Sequence, residues 1–128
     1  MSKIFRKQDV KHYIQESDEQ ANIKALELIE EDKYDFLVVY NGNYDTQSHA
    51  TMPESEEALA ALRESIYAFD KLTAATKKYW AKHDTLIGFA PDHGNHKDKI
   101  DGRGWTHGSE MEEDINIIHF YGIQPDEI

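Results

Sequence analysis

Two short apolar runs separated by one long amphipathic stretch constrain this chain more than any other feature. Phe36-Leu37-Val38-Val39-Tyr40 is continuous, rich in β-branched and aromatic side chains, and bounded by polar residues, which is the pattern of a strand covered on both faces. Thr85-Leu86-Ile87-Gly88-Phe89-Ala90 reads as a second buried strand. Between them Leu59, Leu62, Ile66, Phe69 and Leu72 recur at three-to-four spacing, with Glu56, Glu57, Arg63, Glu64, Lys71 and Lys78 on the remaining faces. That spacing predicts a helix beginning between Pro53 and Ser55 and ending near His83. Strand, helix, strand makes a βαβ unit, expected to cross over right-handed into a parallel pair. Ile115 to Tyr121 reads as a third strand. The expected fold is α/β, a three-layer α/β/α arrangement around a short, mostly parallel sheet.

Upstream, Ser17-Asp18-Glu19-Gln20 fits a capping box and predicts a helix to about Glu31, with Ile23, Leu26, Leu28 and Ile29 as its apolar stripe. Residues 1–128 read as one domain without internal repeats. An apolar share of 39% allows a modest core. With 14 Lys and Arg against 25 Asp and Glu, the net charge of −11 repels nucleic-acid phosphates and anionic headgroups, so neither nucleic acid nor membrane is an expected partner. The absence of Cys excludes disulfides, thiolate metal sites and a cysteine nucleophile. The amino terminus lacks the apolar run of a signal peptide, and no stretch approaches the ~18 apolar residues of a membrane span. A soluble, cytoplasmic protein is expected.

Residues able to do chemistry gather just past the expected strands, where open α/β sheets hold their ligands. Asp45 and His49 lie four apart in an expected loop after Asn41-Gly42-Asn43. Asp92-His93-Gly94-Asn95 follows the second run, with Gly94 permitting a sharp turn. Trp105-Thr106-His107-Gly108 lies in the long polar stretch 91–114, and such stretches are usually functional inside a compact domain. Alone, each motif is more often solvated loop. Together, two Asp and three His suit Zn²⁺, Mn²⁺ or Fe²⁺, because imidazole and carboxylate match borderline metals.

His96 could add a ligand or a substrate contact, or be a solvated loop histidine. His12, His83 and His119 fall off the pattern and read as structural or exposed. Lys97, Lys99 and Arg103 are interleaved with Asp98 and Asp101, which reads as a mixed solvated surface. Thr46, Ser48, Thr51 and Ser109 read as hydroxyls bonded to local backbone.

Asp45-x-x-x-His49, then Pro91-Asp92-His93-Gly94-Asn95, then Thr106-His107-Gly108, in that order, resembles the C-terminal part of the alkaline phosphatase superfamily. The resemblance spans roughly residues 20 to 123. Asp-His-Gly-Asn is most similar to the cofactor-independent phosphoglycerate mutase and phosphopentomutase branch. The stretch from Tyr44 to Glu56 and the Thr-His-Gly-Ser run are also similar to the nucleotide pyrophosphatase/phosphodiesterase branch. It implies that Asp45, His49 and His107 ligate one metal and that Asp92 and His93 ligate another, with zinc or manganese favoured and iron or magnesium admissible. It further implies a small phosphorylated or sulfated substrate and a metal-dependent ester hydrolase or phosphomutase-like activity.

In the family the Ser or Thr nucleophile and a further metal-binding Asp lie upstream of everything matched here, so the expectation is a partial domain lacking that segment. One ion held by Asp45, His49 and His107 is then the fuller site, and direct attack by a metal-activated hydroxide is the route to turnover. The alternative is a catalytically inactive, truncated relative acting as a binding or structural module. A sheet forming part of a larger domain also exposes an edge, so a homodimer or association with another chain is expected.

Overall fold

The computed structural model describes residues 10–98, 104–108 and 110–127. Helix α1, Asp18–Glu31, begins at the expected cap: the Ser17 hydroxyl accepts from the Gln20 N–H, and the Gln20 side-chain oxygen accepts from the Glu16 N–H. It ends where Asp32 adopts a left-handed conformation, with φ of 47°. Helix α2, Asn43–Ala50, occupies what the sequence suggested as loop. Helix α3, Glu56–Tyr79, is capped by Ser55, whose hydroxyl accepts from the Ala58 N–H, and its last turn carries Lys77 and Lys78 against the helix dipole.

Strands β1 (Thr85–Phe89), β2 (His96–Lys97) and β3 (Trp105–Thr106) precede the single-turn helix α4 (Glu112–Ile115) and strand β4 (Phe120–Gln124). Two two-stranded antiparallel sheets result, β1 with β4 from Thr85↔Gln124 to Phe89↔Phe120, and β2 with β3. The architecture is therefore mixed α/β, and the parallel three-layer sheet is corrected. Residues 90–119 hold a hairpin and a helical turn, and they return the chain at the Phe89 end of β1, so the next strand must run back antiparallel. The expected strand 115–121 starts late because residues 112–115 coil to bury Asp114.

The run Phe36–Tyr40 is not a strand either. Its burial alternates, with Leu37 and Val39 half-buried and Phe36, Val38 and Tyr40 exposed. No backbone hydrogen bond joins Leu37, Val38, Val39 or Tyr40 to another described residue. Without a ladder the βαβ unit does not form.

Helix α3 is the common wall, in contact with α1, α2 and β1. The core is small: Ala25, Leu28 and Ile29 of α1 are buried with Ala58 and Ala61 of α3. Trp80 Nε1 donates to the Ile29 carbonyl, tying the end of α3 to α1. Gln124 accepts from the Thr76 hydroxyl and donates to the Thr73 carbonyl, while Phe69 meets Phe89 edge-on with centroids 5.2 Å apart. Those contacts fasten the β1–β4 ribbon to α3. Among the described residues no helix is long and apolar enough to cross a membrane.

Candidate metal centre

Helix α2 gives Asp45 and His49 a common face, because residues four apart lie one above the other on a helix. Its first turn is capped from outside: the Asp18 carboxylate accepts from the N–H groups of Gly42 and Asn43, each at 2.9 Å. Ser48 is completely buried and donates to the Tyr44 carbonyl at 2.7 Å, so the opposite face of α2 points inward. The helix contacts β3, and there His49 Nδ1 donates to the Trp105 carbonyl at 2.7 Å. That bond brings His107, two residues beyond Trp105, alongside α2.

The outcome is a cluster centred on one oxygen. Asp45 Oδ1 lies 3.4 Å from His49 Nε2, 3.4 Å from His107 Nε2 and 3.9 Å from His93 Nε2. The His93 and His107 rings stack with centroids 3.6 Å apart, and the His49 ring stands 5.1 Å from that of His107. Asp45, His49 and His107 each offer a ligand atom within 4.8 Å of the others, a candidate metal-binding triad.

The electrostatics of the cluster call for a cation. His49 Nδ1 and His93 Nδ1 each sit against a carbonyl oxygen, that of Trp105 and that of Gly94 at 2.9 Å, and a carbonyl only accepts. Both Nδ1 atoms therefore carry a proton, which leaves Nε2 of each ring facing Asp45. Asp45 Oδ1 is buried and has no hydrogen-bond partner among the described residues. A buried carboxylate oxygen without a hydrogen-bond partner is unfavourable until something positive sits beside it. Carbonyl partners on Nδ1 are also what orient histidines that ligate through Nε2.

The loop bearing His93 is held from two sides. Gly94 N–H donates to the Asp114 carbonyl at 2.9 Å, and a Cβ at position 94 would collide with the Glu113 carbonyl oxygen. His119 Nε2 donates to the Pro91 carbonyl at 2.8 Å, so its Nδ1 accepts from the Tyr121 hydroxyl at 3.3 Å. This makes His119 structural.

The other expected residues are placed as follows. Asp92 is 68% exposed along its side chain and reaches His93 Nε2 at 3.7 Å. His96 is buried, with Nδ1 2.7 Å from Asp114 Oδ1, so it joins β2 to α4 rather than entering the cluster. Thr46 and Thr51 donate to helix carbonyls of Gly42 and Gln47. Lys97 lies over the Trp105 ring, its Nζ 5.9 Å from the centroid. Lys99, Asp101, Arg103 and Ser109 lie outside the described residues. One support was not foreseen, Asp18, whose sequence context marks only the start of α1; the acidic run Glu110-Met111-Glu112-Glu113-Asp114 reads in sequence as a solvated approach to the last strand or as charge holding the loop geometry, and its Asp114 is buried against His96. No family model, curated protein or solved structure matches the chain.

Proposed function

We propose that the chain binds a divalent transition metal through Asp45, His49 and His107, as a member of the alkaline phosphatase superfamily acting on a small phosphoric or sulfuric ester. The observation that carries the metal reading is Asp45 Oδ1, buried and without a hydrogen-bond partner among the described residues, 3.4 Å from each of two imidazole Nε2 atoms. One carboxylate and two imidazoles suit zinc, manganese or iron(II) better than calcium or magnesium. The ester chemistry rests on the resemblance of the ordered motifs. An ion here would supply Lewis acidity toward an ester oxygen and a lowered water pKa. The backbone orients the ligands: the Trp105 carbonyl fixes the His49 ring, and α2 fixes Asp45 relative to His49.

The test is elemental analysis of the purified chain after zinc or manganese loading, with Asp45→Ala and His107→Ala beside it. Bound metal in the parent, lost in both variants, is expected. A metal-free parent would overturn the reading. Phosphomonoester, phosphodiester and sulfate-ester turnover in the loaded protein, abolished by His49→Ala, carries the activity; unchanged turnover in that variant refutes the role of His49.

A second reading, a catalytically inactive relative serving as a binding module, is favoured by a different observation. Ser48, Thr46 and Thr51, hydroxyls on and at the end of α2, donate to the carbonyls of Tyr44, Gly42 and Gln47, so these three are not poised as nucleophiles. The extended segment 37–40, lacking a ladder, gives such a module a surface on which a second copy or another chain would add a strand.

A further inference from the structure

The β1–β4 ribbon has two faces, and only one of them meets α3. Gln124 and Phe89 reach Thr73, Thr76 and Phe69 of that helix, so by strand alternation Thr85, Ile87 and Phe89 look inward while Leu86 and Gly88 look out. The register sets Ile123 beside Leu86 and Tyr121 beside Gly88 on the outer face. There Leu86 is 71% exposed, Ile123 73% and Tyr121 64%. We propose that this outer face docks a basic amphipathic helix of a partner protein.

The surface is held in shape by the chain itself. Tyr121 lies across Gly88, where a Cβ would stand 2.6 Å from its ring. The Tyr121 hydroxyl bonds His119 Nδ1, and His119 Nε2 bonds the Pro91 carbonyl, so the ring is fixed although exposed. An oriented tyrosine among exposed aliphatic side chains is the composition of an interface anchor. Dimensions select a helix as its cover: five strand residues run about 17 Å, the length of about 11 helical residues, and two strands about 4.8 Å apart underlie one helix about 10 Å wide. The inner face shows the same fit, with α3 lying across both strands.

Charge selects the kind of helix. Neither strand carries a charged residue, and near their ends stand Asp84, Asp92, Asp126 and Glu127 against Lys82 alone. From residue 104 to residue 128 the sequence has no Lys or Arg. An apolar floor with an acidic rim complements a helix whose apolar stripe is flanked by Lys or Arg. A second copy would set acidic rim against acidic rim, and an anionic lipid surface would be repelled.

The probe is a helical peptide of about 18 residues, with leucines at three-to-four spacing and lysines elsewhere, titrated into the full chain beside an analogue with Glu in place of Lys. One-to-one binding of the lysine peptide is expected, tighter than that of the analogue and weakening as salt rises. Leu86→Thr combined with Ile123→Thr should weaken it at least about tenfold, because fully burying one such side chain contributes at least the 1.4 kcal/mol of a tenfold change. Asp126→Asn combined with Glu127→Gln should weaken it as well, while Val38→Thr, at an exposed apolar position elsewhere, should leave it unchanged. No binding by the parent, or binding unmoved by the Leu86 and Ile123 pair, would overturn the proposal. A parent dimer dissolved by that pair would give the face to a second copy, and a parent held on phosphatidylcholine vesicles and released by it would give the face to lipid; either result overturns the proposal. Threonine suits a strand, so thermal unfolding of the pair should match the parent. If it does not, the Asp126 and Glu127 pair decides, and binding unmoved by that pair overturns the proposal.

Discussion

Asp18 Oδ1 accepts the Gly42 N–H at 2.9 Å, so the first residue of one helix caps the start of another. Its second oxygen takes the Asn43 N–H, and the pair of bonds fixes where α2 begins and hence where Asp45 and His49 stand. The centre therefore depends on a carboxylate that no ligand touches.

Replacing Asp18 with Ala strips two N–H groups of their acceptor at the positive end of α2. The expected loss is about 1–2 kcal/mol of stability, the range of a lost helix cap. Zinc affinity should fall with it, because fraying of the first turn frees Asp45. Denaturant unfolding beside zinc titration checks both; lowered stability with undiminished affinity would show that α2 keeps its geometry without the cap.

Gly94→Ala puts a methyl against the Glu113 carbonyl oxygen, a backbone atom that cannot swing aside as a side chain would. We expect a destabilisation of about 2 kcal/mol, at the level of overpacking a tight contact. Because Gly94 N–H also bonds the Asp114 carbonyl, the strain should displace His93. Thermal unfolding and the zinc affinity of the variant measure the two effects.

His96 and Asp114 form the buried ion-pair geometry of the hairpin region, 2.7 Å apart. His96→Ala removes one partner of a buried carboxylate, and the expected cost is about 2–3 kcal/mol, as for a hydrogen bond to a charged group. Zinc stoichiometry should stay as in the parent, since the structure sets His96 outside the triad. Loss of the ion in a folded His96→Ala protein would instead make it a ligand.

Local features were legible in the sequence and long-range ones were not. Ser17 with Gln20, and Ser55 ahead of the apolar stripe of α3, act through neighbours within a turn, so their residue types suffice. The convergence of Asp45, His49 and His107 was legible from motif order, although the reason is a helix and not the expected loop. The strand at Phe36–Tyr40 was misread because a strand is a property of its partner: a continuous apolar run marks a segment able to pair, while pairing needs a second backbone. The direction of β4 likewise depends on how residues 90–119 fold back, which composition does not encode.

Val38 stands 72% exposed in the middle of that extended segment, with Tyr40 at 68% on the same side. If a second copy adds to the segment, antiparallel pairing centred on Val38 sets Leu37 opposite Val39 and Asp35 opposite Asn41, so no like charges face each other. The net charge of −11 per chain opposes such a dimer, and association should strengthen with salt. Sedimentation of the parent at micromolar concentration should then show dimer, and Val38→Lys should shift it to monomer with unchanged thermal stability of the subunit. Because this register sets Val38 opposite its own copy, Val38→Lys both removes the apolar strand contact and faces two like charges, and both effects favour dissociation. A parent that stays monomeric at high salt would exclude the second copy and leave a chain of different sequence as the partner for this segment.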